Sequence, residues 1–187
     1  MVAKNILPCT NRKEFREWLI ENSQTESECW LDVKRWKPVD DNIFYYLDAV
    51  QEALCFWWID STYKLIDGKR LQRFSPRNKN SPWSELNKER ARHMIKLWLM
   101  TKYWLAVAPD LDSPYIIPKE IEQALKKVNV REKFISFPEL YQRIRSYNVY
   151  FYIDKNEMTY KKSLNHLIQE TKKGKMYWNW NDYWRLI

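Results

Sequence analysis

The sequence predicts an α+β fold, in which a small antiparallel sheet packed by helices over residues 1–110 precedes a helical module over residues 111–187. Three observations support this. The pair Asp67-Gly68 separates two strand-like segments, which is a strong hairpin signal. Apolar stripes at helical spacing lie on both sides of that hairpin. Prolines and turn-forming residues interrupt the pattern from Pro109 to Pro118, which marks a boundary between modules.

The chain begins with a predicted helix and strand. Asn11 followed by Glu14 has the spacing of a capping box, and apolar residues at i, i+3 and i+4 extend the helix over residues 11–21. Alternating residues from 29 to 35 predict a half-buried strand.

The next segments lead into the hairpin. Residues 36–42 have the composition of a loop, and an apolar stripe from 43 to 58 predicts a helix that packs on the core. The segments 62–66 and 69–74 then form the two strands of the hairpin around Asp67-Gly68.

The remaining helices have recognisable ends. Ser84 is placed to cap a helix that runs to about residue 98. In the helical module, Pro118 and Pro138 are each suited to begin a helix, and Gly174 is suited to end the last one.

Composition limits the class of protein. The chain of 187 residues has three cysteines, an odd number without C-x-x-C spacing, so we expect neither disulfides nor a thiolate metal site. No export signal and no apolar run as long as a membrane span is visible, which predicts a cytoplasmic protein. The oligomeric state is left open.

The net charge of +8 predicts attraction to anionic partners. Residues 111–187 contain 14 Lys+Arg against 9 Asp+Glu, so most of the excess falls on the helical module. Two interpretations stay open: a solvated basic face, or a surface that contacts nucleic acid or another anion.

Several segments of the chain together form a recognisable pattern. They are Phe15–Leu19, Ala53–Phe56, Trp58–Asp60, Arg73–Arg77, Ser81 with Trp83, Ser84, Asn87 and Arg90, Met100–Thr101, Tyr141 with Arg143 and Ile144, Gly174–Tyr177, and Trp180–Asp182. In this order they resemble the bacterial YdeI/OmpD-associated family, also called bacteriocin-protection proteins. The likeness covers nearly the full length and implies a YjbR-like α+β fold, with no assigned reaction and no cofactor.

The departures from the family pattern are systematic. The chain has two glycines and eleven tryptophans, whereas an ordinary chain has roughly 7% glycine. We hypothesise that UGA codons, read as glycine in the source organism, were translated as tryptophan. The alternative is that these tryptophans are genuine and form an aromatic surface or an enlarged core. The resemblance implies glycine at or near six positions, namely Trp36, Trp57, Trp98, Trp104, Trp178 and Trp184.

The best candidate site is the segment from Asp60 to Asn87. Two arginines bracket a predicted turn and Ser84 begins a helix, an arrangement suited to a carboxylate or phosphate. The alternative is structural, in which the arginines pair with Asp60, Asp67 or Glu85. The candidate ligand-binding residues are Asp60, Arg73, Arg77, Trp83, Ser84 and Asn87.

No catalytic or metal motif is apparent. His93 and His166 lack a second ligand at i+3 or i+4, so no metal site is expected. Cys55 lies on an apolar stripe, where burial raises the pKa of a thiol and makes it a poor nucleophile.

Three functions therefore remain. The first is a non-enzymatic binding protein, which the resemblance associates with stress or antimicrobial-peptide tolerance. The second is a nucleic-acid-binding protein that uses the basic helical module. The third is an enzyme or binder for a small anion at Arg73, Arg77 and Ser84.

Overall fold

The computed structural model describes residues 3–36 and 43–186. It has the α+β fold that the sequence predicts. The helices and strands run in the order α1 Arg12–Asn22, β1 Cys29–Leu31, α2 Tyr46–Cys55, β2 Trp58–Ile66, β3 Lys69–Pro76, α3 Glu85–Lys96, α4 Lys102–Val107, α5 Lys119–Lys127, α6 Arg131–Ile135, α7 Glu139–Tyr150 and α8 Glu157–Lys172.

The sheet is antiparallel with the order β1-β3-β2. The predicted hairpin is confirmed: Ile66 pairs with Lys69 across a two-residue turn. Asp67 and Gly68 have φ angles of 46° and 78°, the positive values that a type I′ turn requires at both central positions.

The chain divides into two compact units. The first contains residues 1–82 with 90–109, and the second contains residues 83–89 with 110–187. The helix α3 therefore contributes its first residues to the second unit and the rest to the first.

The core of the first unit is formed by α1 and α2 with the sheet. The predicted cap of α1 is confirmed, since the Asn11 side chain accepts a hydrogen bond from the Glu14 amide at 3.0 Å. Phe15 and Phe74 are fully buried and their rings lie 5.5 Å apart. This contact joins α1 to the central strand β3.

Several elements of the first unit differ from the prediction. The strand β1 has only three residues, all of them buried. Beyond it, Lys34 does not pair within the sheet but forms an isolated bridge to Tyr45. The helix α2 ends at Cys55, so Trp57 and Trp58 follow it. The short helix α4 was not predicted. Of the predicted loop, residues 37–42 lie outside the described residues.

The second unit is helical. As predicted, Pro118 and Pro138 occupy the N-cap positions of α5 and α7, and Gly174 follows α8 with a φ of 70°. The additional helix α6 was not predicted. Its residue Phe134 is buried in a core that also contains Tyr141.

Among the described residues, nine other than glycine have positive φ, and four of these nine are tryptophans. The four are Trp57, Trp98, Trp178 and Trp184.

Within the described ranges, no helix has both the length and the apolar character needed to cross a membrane.

Candidate functional site

The six predicted site residues are divided between the two units. Asp60, Arg73 and Arg77 lie in the first unit. Trp83, Ser84 and Asn87 lie in the second.

Arg73 forms an ion pair. It lies inside β3, not beside a turn, and its Nε donates to Glu28 Oε2 at 2.7 Å. Its Nη1 donates to the hydroxyls of Ser61 and Ser75. Glu28 also accepts from Trp30 Nε1, and these hydrogen bonds lower the pKa of the Glu28 carboxyl from 4.5 to about 2. The guanidinium thus stabilises one face of the sheet.

Asp60 belongs to the opposite face. It lies across from the core residue Phe74, and successive side chains of a strand alternate between faces, so Arg73 is directed away from it. Asp60 Oδ2 accepts from Tyr46 Oη at 2.5 Å. Burial first, and then the charge of Asp60, raise the pKa of Tyr46 well above its ordinary value. Asp60 therefore connects β2 to α2.

Arg77 stabilises the loop that follows β3. Its side chain is buried, and its Nη2 donates to the carbonyl oxygens of Ser81 at 3.2 Å and Pro82 at 2.6 Å. Its amide donates to the Trp57 carbonyl at 2.8 Å. These bonds join the loop 77–82 to the end of α2.

Ser84 caps α3, as its sequence position predicts. Its hydroxyl oxygen accepts the Asn87 amide hydrogen at 3.2 Å, so Ser84 has a structural task at this helix end. Trp83 and Asn87 are both half-buried.

The first unit also contains a groove that the sequence interpretation missed. We call it the hairpin-tip groove, and it consists of two cavities that share Asp32, Lys34 and Lys69. The larger cavity has about 460 Å³ and is lined in addition by Ile6, Leu7, Pro8, Cys9, Thr10, Ile43, Phe44 and Leu71. The smaller has about 300 Å³ and is lined in addition by Val33, Trp36, Tyr63 and Arg70.

The pairing of β1 with β3 forms this groove. Leu31 lies opposite Gln72, which places the residues that follow β1 beside those that begin β3. The position of Lys34 is fixed by its backbone, whose amide donates to the Phe44 carbonyl at 3.1 Å. The lining residues that follow β1 and those that begin β3 are more than thirty positions apart in sequence, so local patterns do not reveal the groove.

The groove is positively charged. Lys34 Nζ lies 3.6 Å from Asp32 Oδ1, but both side chains are about half exposed, so water screens this pair strongly. Within residues 3–36 and 43–186, neither Lys69 nor Arg70 forms an ion pair with a carboxylate. Among the described residues that line the groove, two lysines and an arginine thus lie with one acid.

The ring of Tyr63 borders the smaller cavity. The guanidinium of Arg35 lies 4.5 Å from the ring centroid of Tyr46 and 5.0 Å from that of Tyr63. Its Nη1 donates to Gln72 Oε1 at 2.6 Å. The contacts hold Tyr63 at the edge of the groove.

Burial raises the pKa of all three cysteine thiols, which disfavours the nucleophilic thiolate form. Burial, with a smaller contribution from Glu14, raises the pKa of Cys9 from 9.0 to about 11. Burial likewise raises the pKa of Cys55 to about 12, which confirms the expectation from its apolar stripe. In the part of the chain that the structure describes, no three His, Cys, Asp or Glu side chains are grouped as metal ligands.

Two further charged groups are buried. In the first unit, Glu52 accepts hydrogen bonds from Arg12 Nε and from Arg16 Nη1, the latter at 2.6 Å. In the second unit, Arg145 lies 4.4 Å from the ring centroid of Tyr177 and donates to its carbonyl oxygen. Burial lowers the pKa of Arg145.

A family model described as a domain of unknown function (DUF8412) matches residues 7–107, which include every residue of the hairpin-tip groove except Ile6. No curated protein and no solved structure matches the chain.

Proposed function

Because the chain belongs to the DUF8412 family, whose description assigns no activity, we propose a function from the groove: a non-enzymatic binding protein for an anion that has an apolar part. One observation carries this proposal. An apolar cavity and a cation-lined cavity share Asp32, Lys34 and Lys69, so a single ligand can occupy both.

The dimensions suit a small ligand. Small-molecule sites have volumes of about 300–1,000 Å³ and combine apolar walls with a few polar groups. The larger cavity offers Ile6, Leu7 and Phe44 to an apolar chain. The smaller offers Lys69 and Arg70 to a carboxylate or phosphate.

The cations that we assign to the anion are Lys69 and Arg70, whereas the sequence predicts Arg73 and Arg77. Arg73 is paired with Glu28, and Arg77 donates to two carbonyl oxygens, so both have internal structural tasks. Lys69 and Arg70 are exposed at the groove. We therefore still propose an anionic ligand, as the sequence predicts, but we assign its binding site to the hairpin-tip groove.

A role in stress tolerance rests on the resemblance to YdeI/OmpD-associated proteins, and a cytoplasmic location is part of that proposal. The charge argues against direct capture of cationic antimicrobial peptides, because a protein of net charge +8 with a cationic groove repels them. We therefore propose that any such role acts through the anionic ligand.

Calorimetric titration at low salt tests the groove. The probes are octanoate, which has an apolar chain, and inorganic phosphate, which has none. We expect octanoate to bind more tightly than phosphate. A triple variant in which Lys34, Lys69 and Arg70 are replaced by Ala should weaken octanoate binding by about tenfold or more, since one charge-assisted hydrogen bond contributes about 1.5–3 kcal/mol.

The matched control removes three exposed cations elsewhere, Lys13, Lys79 and Lys96, and should retain the affinity. Equal weakening in both variants would show a general charge effect and contradict the assigned groove. Absence of octanoate binding would contradict the apolar part of the proposal.

Nucleic acid is the alternative ligand, favoured by the net charge and by the stacked pair Arg35 and Tyr63. A short oligodeoxythymidine is the third probe in the same titration. Binding of the oligonucleotide with a steep salt dependence, without octanoate binding, would replace our proposal with this one.

A further inference from the structure

Four tryptophans have a backbone conformation that favours glycine. The φ angles are 65° at Trp57, 57° at Trp98, 59° at Trp178 and 73° at Trp184. In this left-handed region the Cβ of an L-residue crowds the backbone, whereas glycine, which has no Cβ, adopts it freely. The other described tryptophans have no positive φ.

The remaining described residues with positive φ are mostly of the types that ordinarily adopt this backbone conformation. Apart from the two glycines, they are two asparagines, two aspartates and Tyr183. Asn and Asp are the side chains that tolerate this region best, because they are short and form local hydrogen bonds. Four tryptophans in such a set are therefore anomalous.

Trp98 occupies the same structural position as Gly174. After α3, the Trp98 amide donates to the Ile95 carbonyl at 2.9 Å, and the Leu99 amide donates to the Met94 carbonyl at 3.1 Å. After α8, the amides of Gly174 and of the next residue form the same two bonds, to carbonyls three and five residues earlier. This is the Schellman motif, whose left-handed position is most often glycine.

Trp57 also ends a helix. Its amide donates to the Leu54 carbonyl at 3.2 Å, and β2 begins at the next residue, so the left-handed conformation turns the chain from α2 into the sheet. The Trp57 carbonyl accepts from the Arg77 amide at 2.8 Å. Both bonds are made by the backbone and need no side chain at position 57.

Burial of the indole ring does not explain the presence of tryptophan at three of these four positions. Trp98 is 94% exposed, Trp178 80% and Trp184 76%, although tryptophan is a highly buried residue type on average. In contrast, Trp58 and Trp180 are buried. The exposed rings gain little apolar burial to offset the strain of their backbone.

We propose that the native protein has glycine at positions 57, 98, 178 and 184, each encoded by a UGA codon that the source organism reads as glycine. The inference rests on backbone angles and is independent of the function proposed for the groove. Trp36 and Trp104 have no positive φ, so the backbone gives no support for glycine at these two positions.

Mass spectrometry of the protein isolated from its source cells tests the proposal directly. Cleavage after Lys175 and Arg185 gives one peptide that contains Trp178, Trp180 and Trp184. We expect glycine at 178 and 184 and tryptophan at 180 within that single peptide. Tryptophan at 178 and 184 would overturn the proposal.

Thermal unfolding of the recombinant chain gives a second test. Trp98→Gly should raise Tm by about 2–4 °C, because relief of backbone strain in a chain of this size shifts the midpoint by that amount. Trp98→Ala removes the same ring but keeps the Cβ, so it should give a smaller rise. Trp36→Gly, at an exposed position without positive φ, should give none. Equal Tm values for Trp98→Gly and Trp98→Ala would contradict the backbone argument.

Discussion

At the scale of single residues, Glu52 is a buried carboxylate that forms ion pairs with two arginines. Its side chain is 2% exposed, and it accepts from Arg12 and Arg16, which join α1 to α2. Arg16 also donates to the Leu99 carbonyl at 2.8 Å, so the cluster extends to the segment after α3.

We predict that Glu52→Gln lowers the free energy of unfolding by about 3 kcal/mol, because breaking a buried ion pair leaves charge without compensation. Urea unfolding measures the change. The control is Glu17→Gln, whose exposed carboxylate lies 3.8 Å from Lys13 and should contribute less than about 0.5 kcal/mol. Equal decreases in the free energy of unfolding for the two substitutions would show that the buried ion pairs of Glu52 contribute no more than the exposed pair.

Glu28 predicts a dependence of stability on pH. The folded state lowers the pKa of its carboxyl from 4.5 to about 2, chiefly through the hydrogen bond from Arg73. A lowered folded-state pKa stabilises the protein above the ordinary pKa, and this contribution is lost as pH falls from about 4.5 towards 2.

We therefore expect Glu28→Gln to flatten the acid side of a plot of urea midpoint against pH. The control Glu21→Gln changes an exposed carboxyl of α1 and should leave the slope in this range nearly as it is. An unchanged slope in Glu28→Gln would mean that the bond to Arg73 does not persist in solution.

At the scale of elements, the first turns of two helices are capped by hydrogen bonds to the side chain of a residue that precedes the helix. Ser84 accepts the amide of Asn87, and Asn156 likewise accepts the amide of Thr159 at 2.9 Å at the start of α8. We predict that Ser84→Ala and Asn156→Ala each lower the free energy of unfolding by about 1 kcal/mol.

The variant Ser84→Asp should retain stability, because aspartate is also a good N-cap residue. Thermal unfolding measures all three variants. A stable Ser84→Ala variant would indicate that the cap contributes little and would reopen a ligand-binding task for this hydroxyl.

The predictable elements are those whose signals are local. The turn at Asp67-Gly68, the cap at Asn11 and the helix end at Gly174 each depend on residues a few positions apart, and the sequence indicates all three. The partner of Arg73 is Glu28, 45 residues away, and no local pattern identifies it. The groove was missed for the same reason, because the pairing of β1 with β3 brings its residues together.

At the scale of the whole molecule, the two compact units carry different net charges. Residues 83–89 with 110–187 contain 15 Lys+Arg against 12 Asp+Glu, so the other unit carries the larger part of the net charge of +8. Several cations of the helical unit are paired with glutamate, including Lys126 with Glu122 at 3.0 Å. This distribution favours an anion site in the first unit.

The division of α3 has a consequence for unfolding. Residues 85–89 of this helix belong to the second unit and residues 90–96 to the first. Leu86 packs against the core of the second unit, and Met94 is buried in the core of the first. Because helix formation is cooperative, loss of one part of α3 removes hydrogen-bonded support from the other.

We therefore predict that the two units unfold together. Phe74→Ala, which removes a fully buried ring from the first unit, should lower the free energy of unfolding by about 3–5 kcal/mol. In native-state hydrogen exchange with mass spectrometry, amide protection should then fall in residues 85–89 and α7 as well as in β3. Reduced protection confined to the first unit would show that α3 does not couple the two, and that each unit unfolds independently.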